Sequence, residues 1–118
     1  MTVSLRFLIA DDNKDAGETL AALLSHERHE VRLVHDGRRA VDMALSWEPD
    51  VVVLDLQMPR MDGREMYRAM QARGYTTPTI VLSAYRPEEA RSELGAAAGV
   101  AKPFDSDALL ETVESLLR

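Results

Sequence analysis

Val51-Val52-Val53-Leu54, followed at once by Asp55, is the stretch that decides the fold. Three β-branched residues and a leucine in unbroken succession mark a strand covered on both faces. Such strands belong to parallel sheets, whose crossover helices lie on either side. Working back from Val51, Pro49-Asp50 closes an earlier segment. Residues 37–47 carry Ala40, Val41, Ala44 and Leu45 at helical spacing. Residues 31–35 (VRLVH) alternate as a strand does. Residues 14–27 are helical, on Ala16, Leu20, Leu23 and Leu24, and residues 5–10 (LRFLIA) form a first short strand. Working forward, Pro59 to Gly63 is turn-like. Residues 63–73 build a helix on Met66, Tyr67 and Met70, with Gly74 where a helix would stop. Residues 79–82 (TIVL) follow Pro78 as a fourth strand. Residues 87–94 open with proline and two glutamates, a good helix start. The 95–99 stretch is weak, and Val100-Ala101 is at best a short fifth strand. Residues 105–118 close as a helix on Leu109, Leu110, Val113, Leu116 and Leu117.

Five strands alternate with five helices, which is the pattern of an α/β fold. The length of 118 residues suits one domain over residues 1–118. Hydrophobic residues make up 46% and charged residues 29%, ordinary for a globular chain. With 14 basic against 20 acidic residues the net charge is −6, which excludes a domain-wide basic footprint for nucleic acid. There is no cysteine, so disulfides and thiolate metal sites are excluded. No apolar run approaches the about 18–20 residues of a membrane span, and the first residues do not read as a signal peptide. A cytoplasmic protein is the expectation.

Right-handed crossovers place helices on both faces of one sheet, and ligands then sit outside the carboxyl ends of the strands. Those ends carry Asp11-Asp12 on strand one, Asp55 on strand three, Ser83 on strand four and Lys102 on strand five. Strand two ends in His35-Asp36, a less distinctive pair. If strands one and three are neighbours, their ends lie about 4.8 Å apart. Carboxylates that close repel, and one takes up a proton unless a cation sits among them. Hard oxygen ligands suit Mg²⁺, and Mg²⁺ commonly partners phosphate. Lys102 would stand two strands from Asp55, roughly 10 Å, which a long stem leaning inward can span. A carboxylate, a hydroxyl and an ammonium beside a metal are equipped to attack phosphorus and neutralise the transferred oxygens.

Taken in order, several pieces resemble the receiver domain of two-component response regulators. They are Leu8-Ile9-Ala10-Asp11-Asp12-Asn13, then Val53-Leu54-Asp55-Leu56-Gln57-Met58-Pro59, then Met61-Asp62-Gly63. Ile80-Val81-Leu82-Ser83-Ala84 and Lys102-Pro103-Phe104 complete the set, which covers the whole chain. The resemblance implies a doubly wound, flavodoxin-like parallel sheet in strand order 2-1-3-4-5. It implies that Asp55 is the phosphoacceptor and that Asp12 and Asp55 are side-chain Mg²⁺ ligands. Asp11 would act through a water on the metal, and Gln57 would lend a backbone carbonyl. Ser83 matches the hydroxyl that moves to the phosphoryl group, and Lys102 the lysine that pairs with it. Pro103 matches a proline whose preceding bond is usually cis. The implied partners are a histidine kinase or a histidine phosphotransfer domain, with an output partner unnamed. The domain would take part in its own phosphorylation without turning over a small molecule.

One position departs from the pattern. The family usually carries an aromatic residue three before the lysine, and this chain has Gly99 there. Tyr85 is the aromatic nearest in sequence to Ser83 and is an expected substitute. Tyr85 and Gln57 also match the two positions flanking the phosphoryl group, so a bulky ring is expected to slow its hydrolysis. Blander roles exist for each site residue: helix capping for Asp11 or Asp12, turn capping for Asp55, a hydroxyl bonded to its own backbone for Ser83, an exposed ion pair for Lys102. His26, His29 and His35 lack metal spacing and read as solvated, and the methionines read as core. Three other functions compete. A Mg²⁺-dependent phosphatase would want a second aspartate at the position of Gln57. A flavin binder would not place Asp11-Asp12 where a phosphate lies. A receiver-like module working without phosphorylation is the third. A stand-alone receiver and a piece of a longer regulator or hybrid kinase read alike.

Overall fold

The computed structural model describes residues 4–57, 63–102 and 106–116. The chain runs β1(Arg6–Ala10), α1(Lys14–His26), β2(Glu30–Val34), α2(Gly37–Trp47), β3(Val51–Asp55), α3(Gly63–Ala72), β4(Thr79–Ser83), α4(Pro87–Leu94), β5(Ala98–Ala101) and α5(Ser106–Leu116). All four strand pairings are parallel and the order is β2-β1-β3-β4-β5. The expected topology is present. Among the described residues no helix is long and apolar enough to cross a membrane.

Strand alternation sorts the core into two layers. Leu8, Ala10, Val52, Leu54 and Val81 face α2, α3 and α4, where Ala40, Ala44, Met66, Met70 and Ala90 meet them. Phe7, Ile9, Val51, Val53, Ile80 and Leu82 face the other way, onto Leu20, Leu24, Leu109 and Val113 of α1 and α5. Every residue of β3 and β4 is buried, as the apolar run at Val51 requires. Met66 and Met70 are core residues, as expected.

Three expectations change. The fifth strand begins at Ala98, inside the stretch that reads as weak, because Ala98 and Gly99 are recruited by pairing with Ile80 and Val81. Leu45, placed by spacing on the buried face of its helix, is exposed, since it sits at the margin of the apolar stripe. His29 is not simply solvated: its ring is half-buried, edge-on to Phe7, and Nδ1 accepts the Leu5 N–H at 3.1 Å. The proline at position 103 lies outside the described residues, as do positions 59–62 of the stretch read as turn-like, whose last residue, Gly63, opens α3.

Candidate functional site

Register brings the singled-out side chains to one edge. Asp11 follows the last residue of β1, and its N–H donates to Val34 O at 3.1 Å. Asp55 closes β3 opposite Leu82, and Ser83 closes β4 opposite Ala101. Lys102 comes next, tied by its own N–H to Ser83 O at 2.9 Å. These are the carboxyl ends of four adjacent strands. Asp36, at the end of β2, has a different duty: its Oδ1 accepts the Arg39 N–H at 2.9 Å and caps α2.

One carboxylate oxygen from each of Asp11, Asp12 and Asp55 lies within 4.8 Å of the others. Asp11 and Asp55 are almost wholly buried, at 1% and 2% exposure, while Asp12 stands at the mouth. Lys102 leans inward as expected. Its Nζ is 3.1 Å from Asp55 Oδ2 and 3.1 Å from Asp11 Oδ2. Local turns orient both buried acids: Asp11 Oδ1 accepts the Asn13 N–H at 2.9 Å, and Asp55 Oδ1 accepts the Gln57 N–H at 3.0 Å. Asp55 thus also caps the turn that follows it, alongside the convergence, whereas the Asp11 bond is to Asn13, ahead of α1, and is not a cap of that helix.

Electrostatics make Asp55 distinctive. Burial pushes its pKa up from 3.8 to about 6. The Gln57 N–H and the Lys102 ammonium work against that rise, and the Asp11 charge adds to it. Burial also works against the Lys102 ammonium, yet the Asp55 and Asp11 carboxylates outweigh it and carry its pKa above the ordinary lysine value. Of these four side chains, three acids face one ammonium. The excess negative charge and the hard oxygen donors fit a divalent ion such as Mg²⁺.

Ser83 is buried and its hydroxyl is fully engaged. It donates to Tyr85 O at 2.8 Å and accepts the Tyr85 N–H at 3.1 Å. The Gln57 Nε2 donates to the same oxygen at 3.0 Å. The hydroxyl is therefore bonded locally, to the backbone two residues on, and the Gln57 grip on Ser83 is a contact that no spacing in the sequence announces. Tyr85 is 69% exposed, its ring lying beneath the Arg86 guanidinium at 5.2 Å. His35 donates from Nδ1 to Asp11 O at 3.0 Å, a further tie on β1 that sequence spacing does not show.

Two glycines mark where elements press on this edge. A Cβ at Gly63 would lie 2.6 Å from Asp55 O, so α3 can begin directly against the end of β3 only with glycine there. A Cβ at Gly99 would lie 2.6 Å from Pro87 O. The position where the aromatic is expected is thus occupied by the backbone of α4.

Comparison with known proteins agrees with this layout. The model of the response regulator receiver domain matches residues 7–114. Proteins named response regulator MprA, from Mycobacterium bovis and Mycobacterium tuberculosis, are 39% identical over 120 residues, covering 98% of this chain and 52% of theirs. The chain spans about half the length of these curated relatives. The receiver domain of the Francisella response regulator 1452 superposes with a TM-score of 0.89 at 28% identity, covering 96% of each chain. The Vibrio cholerae chemotaxis protein CheY4 does so at 0.85 and 28%, covering 96% of this chain and 98% of that one. With the fold, the strand-edge acids and the family match in agreement, this chain belongs to the receiver domains of two-component response regulators.

Proposed function

We propose that the chain is a phosphoryl-accepting switch, one domain over residues 1–118, phosphorylated on Asp55. The donor is phosphohistidine on a histidine kinase or a histidine phosphotransfer domain. An Asp55 carboxylate oxygen attacks phosphorus in line, the O–P bond forms and the P–N bond to imidazole breaks, and the released imidazole takes up a proton. The Lys102 ammonium neutralises charge on the transferred oxygens. Asp12, Asp55 and the Gln57 carbonyl would hold Mg²⁺, with Asp11 acting through water, and the ion would supply further charge neutralisation. The Ser83 hydroxyl follows the phosphoryl group, and the altered conformation is read by an output partner. The domain works in the cytoplasm and turns over no small-molecule substrate.

The observation that supports this most is the Lys102 ammonium held equidistant from Asp11 and Asp55 within a three-carboxylate cluster. A small phosphodonor with Mg²⁺ should add one phosphoryl group by intact mass, and Asp55→Asn should abolish the gain. Loss from the phosphorylated Tyr85→Ala variant should be faster than from wild type if the ring shields the group from water. The close contact at Gly99 favours one second reading, a receiver-like module that binds its partner without phosphorylation. No mass gain together with intact partner binding would support that reading instead.

A further inference from the structure

We infer that the Gln57 carboxamide is a positioning residue that latches the Ser83 hydroxyl in its unswitched orientation, and that this bond sets how readily the chain answers phosphorylation. This rests on Asp55 being the acceptor and Ser83 the hydroxyl that follows the phosphoryl group. A hydroxyl offers one proton and two lone pairs. All three are in use on Ser83: the proton on Tyr85 O, the lone pairs on the Tyr85 N–H and the Gln57 Nε2. Ser83 is 1% exposed, so no free valence is left for a new partner. Turning to a phosphoryl oxygen means giving up bonds already made.

The carboxamide is suited to the grip because it donates and accepts at once. Nε2 donates to Ser83 Oγ, while Oε1 faces the Ala84 N–H at 3.4 Å. The Ala84 N–H fixes which end of the amide is which. A carboxylate could not donate to Oγ, and an ammonium could not accept from Ala84. The same residue reaches the acceptor through its backbone, since the Gln57 N–H is bonded to Asp55 Oδ1. Gln57 thus links the group that is modified to the group that moves. The release has a defined route. Ser83 is tied to both polar atoms of the Tyr85 backbone, and the next residue, Arg86, has a left-handed φ of 44° and accepts the first bond of α4 from Ala90 N.

Gln57→Met removes both polar bonds at nearly constant length. Beryllium fluoride, an unreactive phosphoryl analogue, is titrated with Mg²⁺ into wild type, Gln57→Met, Ser83→Ala and the double variant. Bound fluoride is read by fluorine NMR, and residues 84–86 by their amide shifts. Gln57→Met should reach half-saturation at roughly five-fold lower concentration than wild type, the worth of one hydrogen bond. That advantage should vanish in the Ser83→Ala background. An absent shift, or an equal shift with and without the Ser83 hydroxyl, would overturn the latch while leaving Asp55 as acceptor. No response from wild type, or an Asp55→Asn variant that binds beryllium fluoride as well as a responsive wild type does, would overturn the acceptor reading and the latch with it.

Discussion

At the scale of single residues, Asp55 carries the tension of the site. Its carboxyl is buried against the strand ends, and its pKa rises from 3.8 to about 6. The folded chain therefore holds this proton more tightly than the unfolded chain does. Its contribution to stability is full below the unfolded value of 3.8 and is lost as pH rises through about 6, above which the folded state bears the whole cost of the buried charge. Asp55→Asn should accordingly be more stable than wild type at pH 7–8, on the order of 1–3 kcal/mol. The gap should close as pH falls from 6 toward 4. Denaturant midpoints across that range check it, and a gap that widened on acidification would contradict the assigned burial. Asp55, Asp11 and Lys102 were legible as candidates because strand-end positions are countable in sequence. The state of Ser83 was not, since its partners Gln57 and Tyr85 are chosen by how the β3 and β4 ends sit side by side.

At the scale of elements, the junction of β5 with α4 stands out. Ala98 and Gly99 have little intrinsic preference for a strand, and the segment is extended because β4 offers a partner. Glycine at 99 lets the first turn of α4 rest on the strand backbone, where the obstacle to any side chain is the Pro87 carbonyl. A main-chain atom cannot swing aside as a side-chain tip does. Gly99→Ala should cost about 1–3 kcal/mol in denaturant unfolding, with the largest amide shifts in α4. A neutral Gly99→Ala would show that the contact is not tight. The same contact leaves no room for an aromatic rotamer as the path between Ser83 and α4. The 84–86 loop, bonded to Ser83 at one end and opening α4 at the other, connects the two directly along the chain.

At the scale of the whole molecule, one sheet gathers its chemistry at one edge and keeps its two apolar layers apart from it. The acids at that edge repel in the absence of a counter-ion beyond Lys102, so a divalent ion that binds the folded form should stabilise it by mass action. Mg²⁺ at about a hundred times its dissociation constant should add about 2.7 kcal/mol, seen as a higher Tm. A chelator should reverse the shift, and Asp12→Asn should shrink it. An equal rise from sodium chloride at matched ionic strength would mean general screening rather than a site.

The amino-acid sequence by itself determined the α/β class, the order of elements and the residues at each strand end. Those follow from apolar periodicity and from breakers such as Pro49 and Pro78, which act over a few neighbours. Tertiary structure alone decided that β5 starts at Ala98, that Leu45 lies outside the core, and that Lys102 serves Asp11 and Asp55 equally. It alone placed Gln57 on Ser83 and α4 against Gly99. Each of these depends on contacts between segments distant in the chain, where register and packing choose the partner and local preference has no say.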